Sequence, residues 1–442
     1  MYKVCKFGGS SLATAEEWKK VKDIVDHDDD LHILVVSAIG KADKKDNKVT
    51  DLLYLIYQHH KYHVDYMPLF EQVEAKYLAI KKELQINVDI ESEFEDVKER
   101  LDQDTISEDE LVSRGEYFSA KLMAAYLGFD FVDSMELINF DYNGKIVEPE
   151  TVECIERAVS VHDYMVVPGF YGSYPNYKIC LFSRGGSDVT GSYMAKGAHA
   201  DLYENFTDVS GFYMADPKIV ENPRHISQIS YDELRELSYM GASVLHEETI
   251  LPLMDEDIPI LVLNTNCPEQ PGTWVKKAVQ GRKHLITGIS GKKGFLAITF
   301  FKERSIDKLS LMMKVLSVFR AYHVPVENIP TSIDSFCVVV EKNAIEEKYY
   351  DMIADLKQIN GIAGIEEDED IALLAVVGGN MVKKAGSLGR IMSVFGDNNI
   401  NIKLIDWGLE EYNILLGVSN ADFEKSIKTL YARFAHEKIN NA

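Results

Sequence analysis

The sequence lacks the features of disulfide-rich, zinc-thiolate and membrane-spanning proteins. Its 442 residues include five cysteines, which are scattered, odd in number and never arranged as a CxxC pair. We therefore expect reduced cysteines in a cytosolic protein rather than a disulfide framework or a zinc site. No apolar run approaches the roughly 18 residues of a membrane-spanning helix, and no signal peptide precedes the first predicted strand. These absences predict a cytoplasmic protein without a membrane partner.

Positive charge is scarce as well. The chain has 47 Lys and Arg against 71 Asp and Glu, which gives a formal net charge of −24. Such a surface repels nucleic acid and anionic membranes, so neither is an expected partner. An acidic protein that binds a phosphate ligand must concentrate its few cations at the phosphates. Lysine and arginine residues beside glycines are therefore the first candidates for function.

The N-terminal part alternates between predicted strands and helices. Two helices begin at capping boxes, Thr14 with Glu17 and Ser107 with Glu110. Apolar strands are predicted over Tyr2–Phe7, Leu31–Ser37, Tyr164–Pro168, Lys178–Phe182 and Pro259–Leu263. This alternation indicates a parallel or mixed sheet with helices on both faces. An acidic stretch at residues 67–103 is predicted to be a helical insertion that acts as a lid or a subunit contact, and residues 264–283 are the best domain boundary.

The chain beyond this boundary contains an internal repeat. Val315–Ile329 (VLSVFRAYHVPVENI) matches Ile391–Ile405 (IMSVFGDNNINIKLI). Strands are predicted near 294–301, 326–331, 335–341 and 362–367 in the first copy, and near 371–378, 400–406 and 412–418 in the second. A strand near 284–290 is predicted to fill the open edge of the second copy. The repeat predicts two split-βαβ units side by side, which either create a ligand site at their interface or serve only for dimerisation.

Two glycine-rich motifs follow predicted strands. In KFGGSS (Lys6–Ser11), glycines let backbone N–H groups approach phosphate oxygens while Lys6 supplies a positive charge. FSRGGSD (Phe182–Asp188) repeats the arrangement with Arg184, which is suited to bidentate binding of a carboxylate. Asp188 either holds a catalytic lysine or magnesium, or only caps the next helix. A single Gly-Gly turn is usually just a turn, but two of them with adjacent cations favour function. No Walker signature is present, which disfavours a P-loop fold.

Three further candidates are weaker when taken alone. The loop TDVSGFYMADPK (Thr207–Lys218) has a glycine and aromatic residues that suit a flat base, but such loops are usually only connections. Thr50 follows a lysine-rich loop, and Glu116 lies on a helix away from its main apolar stripe. The pattern alone favours a solvated helix face for Glu116. His246 has no accompanying HExxH motif, and no residue is assigned to a metal site.

The motifs KFGGSS, VVSAIGK, VTDLL, SRGE, FSRGGSD, FTDVSGFYMADPK and MGASVLH occur in that order and are followed by the repeat. In this order, over nearly the full length, the chain resembles the monofunctional aspartate kinases (aspartokinases) of the amino-acid kinase family, which carry two C-terminal ACT domains. The resemblance implies a three-layer sandwich with a mostly parallel sheet in residues 1–280. It implies one ferredoxin-like ACT domain in residues 294–370 and a second formed by residues 284–291 and 371–442. No dinucleotide-binding GxGxxG region follows, so a fused homoserine dehydrogenase is not expected.

The resemblance also implies an activity. The enzyme would use ATP with Mg²⁺ to convert L-aspartate to 4-phospho-L-aspartate, the first step of lysine, threonine and methionine biosynthesis. Lysine, threonine or both would regulate a homodimer or homotetramer that assembles through the ACT domains. The competing hypothesis is a ligand-sensing module whose kinase site has decayed. Its main support is Ser243, which stands where many family members have a lysine.

The family's functional residues map onto this sequence as follows. The catalytic residues would be Lys6 and Asp188, with Asp188 positioning Lys6. The ATP-binding residues would be Gly8, Gly9, Ser10, Thr207, Asp208, Tyr213 and Lys218. The aspartate-binding residues would be Ser37, Thr50, Glu116 and Arg184, and the effector-binding residues Lys308, Val326, Glu327, Thr331 and Ser332. Lys218 stands where many members have arginine, and it is the predicted replacement for the phosphate-contacting lysine absent at Ser243.

Overall fold

A computed structural model describes residues 1–183, 185–241, 245, 247–281, 284–381, 384–408 and 412–437. The chain separates into two compact units, which are described one at a time. The first unit comprises Met1–Phe212, Ile226–Tyr231 and Ser243–Val279. The second comprises Tyr213–His225, Asp232–Ala242 and Gln280–Ala442. The predicted domain boundaries themselves stay predictions.

Alternating strands and helices fill the first 280 residues. The strands are β1 (Lys3–Phe7), β2 (Leu31–Val36), β3 (Asp130–Phe131), β4 (Met165–Pro168), β5 (Tyr171–Ser173), β6 (Ile179–Leu181), β7 (Leu202–Thr207), β8 (Phe212–Tyr213), β9 (His225–Ile226), β10 (Gln228–Ser230), β11 (Ile260–Asn264) and β12 (Thr273–Lys276). The helices are α1 (Ala15–Asp26), α2 (Val49–Lys61), α3 (Met67–Glu83), α4 (Glu91–Asp102), α5 (Glu108–Leu127), α6 (Glu148–Val161), α7 (Gly186–Gly197), α8 (Tyr231–Tyr239) and α9 (Glu247–Asp255). Both predicted capping boxes form, because Thr14 accepts the N–H of Glu17 and Ser107 accepts that of Glu110.

Eight of these strands form the main sheet, in the order β10-β12-β11-β7-β1-β2-β4-β3. All neighbouring pairs are parallel except β11 and β12. The prediction of a mostly parallel sheet is confirmed. Two details differ from expectation. The strand predicted over Lys178–Phe182 pairs with β5 in a separate two-stranded sheet, and the predicted boundary at residues 264–283 contains β12, a strand of the main sheet.

Helices cover both faces of this sheet. Side chains alternate along a strand, so neighbours on β1 point in opposite directions. Cys5 and Phe7 join a core that includes residues of all five helices α1–α5, whereas Lys6 faces α7. The central strand β1 therefore places an apolar residue in one layer and a lysine in the other.

The insertion at residues 67–103 forms α3 and α4, which are part of the core of the first unit. Phe94 packs between Phe70 of α3 and Phe118 of α5, with ring centroids 6.3 and 4.6 Å away. The hydroxyl of Tyr77 donates a hydrogen bond to the carbonyl of Gly115 at 2.6 Å. The prediction that this insertion is helical is confirmed, whereas its role as a lid or a subunit contact stays a prediction.

The second unit contains an antiparallel sheet flanked by helices. Its strands are β13 (Gly288–Lys302), β14 (Ser335–Glu341), β15 (Ile362–Val377), β16 (Leu404–Asp406) and β17 (Asn413–Val418), in the order β14-β13-β15-β17-β16. Its helices are α10 (Lys308–Ala321), α11 (Lys342–Ile345), α12 (Tyr349–Lys357), α13 (Ser387–Asp397) and α14 (Phe423–Phe434). Phe319 and Phe395, which match in the repeat, are both 1% exposed on α10 and α13.

The two halves of the repeat share their longest strands. Residues 288–293 of β13 pair with residues 372–377 of β15, which also pair with β17. Residues 295–301 of β13 pair instead with β14 and with the first part of β15. The strand predicted near 326–331 is wrong, because that segment makes only isolated bridges at Asn328 and Thr331. Pro325 and Pro330 remove two backbone donors there, which prevents a continuous ladder.

We expect Phe94→Ala to lower the free energy of unfolding by about 3–5 kcal/mol, because it leaves a cavity under α5. Urea denaturation followed by circular dichroism measures this change. Tyr62→Ala is the control, since that ring is 69% exposed, and its effect should stay within about 0.5 kcal/mol. Equal effects of the two substitutions would show that the insertion is not part of the core.

Candidate active site

An ion pair between a buried lysine and a half-buried aspartate lies at the carboxyl edge of the main sheet. Lys6 is 7% exposed near the end of β1, and its Nζ lies 2.7 Å from Oδ1 of Asp188. Asp188 is in the first turn of α7, which follows the second glycine motif. The two glycine turns, which are about 180 residues apart in sequence, therefore meet at one edge of the sheet. This is where parallel α/β sheets place their ligands.

The first glycine turn packs directly against the loop after β2. The N–H of Gly40 donates to the carbonyl of Gly9 at 2.9 Å. A Cβ on Gly9 would lie 2.8 Å from the carbonyl oxygen of Ala38, and one on Gly8 would lie 3.3 Å from Nζ of Lys6. The close approach therefore requires glycine at position 9. Ser10 is exposed beside it, so the turn retains the geometry that suits an anion.

The second glycine turn is held against the end of β4. Gly185 adopts φ +56°, a left-handed conformation that favours glycine. A Cβ on Gly186 would lie 2.5 Å from the ring of Phe170, whose N–H donates to Oγ1 of Thr190 at 3.1 Å. These contacts fix the start of α7 and therefore the position of Asp188. Arg184, Ser243 and His246 lie outside the described residues.

Three of the predicted aspartate-binding residues lie around Ala38. The N–H of Ser37 donates to the carbonyl of Phe7 at 3.2 Å, which holds this loop beside β1. The N–H of Val49 donates to the carbonyl of Ile39 at 3.1 Å, at the start of the helix that carries Thr50. Glu116 lies beside the same loop, since the backbone N–H of Ala38 lowers the pKa of its carboxyl group.

Glu116 is buried, so the favoured interpretation of a solvated helix face is wrong. Its side chain lies inside on the side of α5 that faces the loop at Ala38, and it is 4% exposed. Burial raises the pKa of its carboxyl group to about 8, and the N–H of Ala38 limits the rise. Its Oε2 is buried without a hydrogen-bond partner in the described part of the chain. A buried, unpartnered carboxyl oxygen suits a cationic ligand group.

The first glycine turn is also linked to the end of β7. Oγ of Ser11 lies 2.7 Å from Oγ1 of Thr265, and the N–H of Thr265 donates to the carbonyl of Thr207 at 2.9 Å. Oγ1 of Thr207 lies 3.2 Å from a carboxylate oxygen of Asp208. The structure therefore brings Thr207 and Asp208 to the sheet edge that carries Lys6.

The two remaining predicted ATP-binding residues belong to the second unit. The ring of Tyr213 meets that of His225 edge-on at 5.7 Å. The N–H of Lys218 donates to Oδ1 of Asp216 at 2.8 Å, and the Lys218 side chain is exposed. Their participation in the site stays a prediction.

The predicted effector residues cluster within the second unit. Nζ of Lys308 donates to the carbonyl of Ser332 at 2.8 Å, at the start of α10. Thr331 bridges to Phe336, and the N–H of Glu327 donates to the carbonyl of Val339 at 2.8 Å. Val326 packs on the core of the first repeat half. All five residues therefore lie around the segment that joins α10 to β14.

Other kinds of site were also considered. No group of three or more His, Cys, Asp or Glu side chains that could hold a metal ion occurs among the residues that the structure describes. In the same residues, no helix is long and apolar enough to cross a membrane. All five cysteines are unpaired.

Known proteins resemble the chain over its whole length. A profile of the amino acid kinase family matches residues 1–264, and an ACT domain profile matches residues 374–434. Aspartokinase 3 of Bacillus subtilis (strain 168) is 32% identical over 449 residues, which are 98% of this chain and 98% of that protein. The chain belongs to the aspartokinase family. The prediction that it is an enzyme of this family is confirmed.

Solved structures of the family share the fold. The Clostridium acetobutylicum aspartate kinase has 43% identity and a TM-score of 0.88, over 98% of this chain and 99% of that one. Escherichia coli aspartokinase III, solved with aspartate and ADP, has 23% identity and a TM-score of 0.79, over 98% of this chain and 99% of that one. The predicted fold class, a kinase sandwich with ACT domains, is confirmed.

The raised pKa of Glu116 predicts that binding of an ammonium ligand depends on pH. Because its carboxyl is neutral below a pKa of about 8, an ammonium ligand must displace its proton there. We expect the KM for an amino-acid substrate to fall by up to about ten-fold per pH unit between roughly pH 6 and 8. Steady-state kinetics across this range measure the effect. Glu116→Gln should raise the KM and abolish this slope, whereas Glu108→Gln on the same helix should preserve it. An unchanged slope in Glu116→Gln would contradict the assignment.

Proposed function

We propose that this protein transfers the γ-phosphoryl group of ATP to the side-chain carboxylate of L-aspartate, giving 4-phospho-L-aspartate. The observation that carries the proposal is the ion pair of buried Lys6 with Asp188, at the same sheet edge as the glycine turns and the loop beside Glu116. This arrangement provides a cation for the transferring phosphoryl group and an anion for a substrate ammonium. Family membership and the E. coli enzyme's complex with aspartate and ADP support the choice of substrates.

The reaction requires little covalent help from the protein. A carboxylate is already a nucleophile at neutral pH, so a strong general base is unnecessary. Catalysis consists of in-line positioning and neutralisation of charge on the phosphoryl oxygens. Lys6 neutralises that charge, and Asp188 holds the ammonium of Lys6 in place. Glu116 in its ionised form binds the substrate ammonium, and Arg184 binds a substrate carboxylate.

The residues at this site suit Mg²⁺ that enters bound to ATP rather than a metal that is held permanently by the protein. When bound, it would neutralise negative charge on the phosphates. The described residues offer only isolated carboxylates near the sheet edge, such as Asp188 and Asp208, rather than a cluster of three ligands. Mg²⁺ commonly binds through one or two carboxylates together with substrate phosphates. Lys218 is the proposed second cation, in place of the lysine absent at Ser243.

The proposed activity predicts release of ADP that requires both L-aspartate and MgATP. Arg184→Ala should raise the KM for aspartate by roughly 10- to 100-fold, because it removes a bidentate, charged contact. A coupled assay for ADP measures both effects. Arg157→Ala is the control, since that residue lies on α6 and contacts Cys154. Turnover with glutamate but not with aspartate would indicate a different amino-acid kinase.

The alternative is a ligand-sensing module without kinase activity, which the serine at position 243 favours. It predicts binding of lysine or threonine in calorimetry with no phosphoryl transfer at all. The intact Lys6–Asp188 pair and the buried Glu116 argue against it, because a binding module has no use for them.

We also propose that the ACT domains bind a regulatory amino acid, lysine or threonine or both, in a homodimer or homotetramer. E. coli aspartokinase III has been solved with lysine and aspartate in its T-state. Here Glu327 would receive the effector's ammonium, close to Lys308, Thr331 and Ser332. We further place the enzyme at the first step of lysine, threonine and methionine biosynthesis, in the cytoplasm. The unpaired cysteines are compatible with that reducing compartment.

Loss of the Glu327 charge should weaken inhibition. We expect Glu327→Gln to raise the effector concentration for half-inhibition by roughly 10-fold or more, since a charged hydrogen bond is lost. Inhibition curves with lysine and with threonine measure this shift. Glu346→Gln, an exposed residue of the same repeat half, should leave both curves unchanged. Identical curves for Glu327→Gln and the parent protein would exclude this residue from the effector site.

A further inference from the structure

Asn205 is a buried amide beside the lysine of the active site. It lies on β7 in direct register with Lys6 on β1, so the two side chains emerge on the same face of the sheet. Asn205 is 1% exposed. A buried amide is costly unless it is hydrogen-bonded, so its position in a central strand requires a partner.

That partner is the carboxylate that holds Lys6. Nδ2 of Asn205 donates to Oδ1 of Asp188 at 2.7 Å, and Nζ of Lys6 lies 2.7 Å from the same oxygen. One carboxylate oxygen therefore receives a lysine from β1 and an amide from β7. Hydrogen bonds to a charged group are shorter and stronger than neutral ones. Two donors from neighbouring strands fix the direction of the carboxylate, which an ion pair alone leaves free to rotate.

The backbone of α7 also packs directly against β7. The hydroxyl of Tyr203, two residues before Asn205, donates to the carbonyl of Asp188 at 3.4 Å. A Cβ on Gly191 would lie 2.5 Å from that hydroxyl, so a glycine at this position lets α7 approach β7. Tyr203 and Asn205 thus hold the main chain and the side chain of Asp188, respectively.

We propose that Asn205 is a positioning residue for phosphoryl transfer. The ammonium group of Lys6 has three N–H donors. When one of them is bound to a carboxylate of fixed position, the directions of the other two are fixed as well. Asn205 holds Asp188, Asp188 holds Lys6, and the ammonium of Lys6 is thereby aimed at the phosphoryl oxygens. Asn205 itself contacts neither substrate. This inference rests on the proposed function, in which Lys6 neutralises the transferring group.

Asn205→Leu tests the role because leucine has a similar shape and no donor. We expect kcat to fall roughly 10- to 100-fold, because the substitution removes one charge-assisted hydrogen bond. The KM values for ATP and aspartate should stay within about two-fold, since neither substrate loses a contact. Ser192→Ala is the matched control, because it removes a buried hydroxyl that hydrogen-bonds the carbonyls of Thr249 and Asp188 without touching the Asp188 carboxylate. It should lower the melting temperature as much as Asn205→Leu does, with kcat unchanged.

A double-mutant cycle separates positioning from a general loss of stability. If Asn205 acts through Asp188, then Asn205→Leu has little further effect on kcat in an Asp188→Asn background. Additive losses, or a fall in kcat in Ser192→Ala equal to that in Asn205→Leu, would overturn the proposal.

A second measurement does not require turnover. Acetylation of Lys6 by acetic anhydride, followed by mass spectrometry with exposed Lys41 as the internal reference, reports how firmly the ammonium is held. Asn205→Leu should raise the relative rate at Lys6 several-fold, and Ser192→Ala should not. An unchanged rate would refute the positioning role even if the parent protein proved inactive with aspartate, a result that would refute the proposed function instead.

Discussion

The ion pair between Lys6 and Asp188 is the interaction on which the candidate site depends. A lysine that is almost fully removed from water is stable only beside a carboxylate with good geometry. The neighbouring strand β7 contributes to that geometry because it carries Asn205, while β2 on the other side of β1 leads into the loop beside Glu116. In a chain with a net charge of −24, Lys6 supplies a local positive charge for an anionic ligand that the overall charge repels.

Close approach of backbone segments is the second constraint. Gly9 meets Gly40 at the end of β1, and Gly186 meets Phe170 at the end of β4. Each contact leaves no space for a side chain, so these glycines are required for packing in addition to the anion binding proposed for them. The close contact between Gly9 and Gly40 also joins the predicted phosphate-binding turn to the loop beside Glu116. The two proposed substrates would therefore be held by parts of the chain that contact each other directly.

In the second unit, the two halves of the internal repeat share one β-sheet. The strands β13 and β15 run through both repeat halves, so neither half has a sheet of its own. A segment that pairs with such a strand, as β14 does in the first half, is mechanically connected to the second half through continuous backbone. This continuity is a physical basis for the regulation proposed above, because a displaced strand affects every element paired with it.

The sequence alone determined the order of elements, the helix caps, the two glycine turns and the repeat, because these depend on local chemistry and on spacing along the chain. Through the family resemblance it also paired Lys6 with Asp188, but it did not show what holds Asp188. Only the tertiary structure decided that Glu116 is buried, because the loop beside its carboxyl group comes from a distant part of the sequence. It likewise decided that β12 joins the main sheet and that two prolines interrupt a repeated strand. Asn205 was missed entirely, since an asparagine in an apolar strand has no local signal, and its partner lies on a distant helix that the parallel sheet brings beside it.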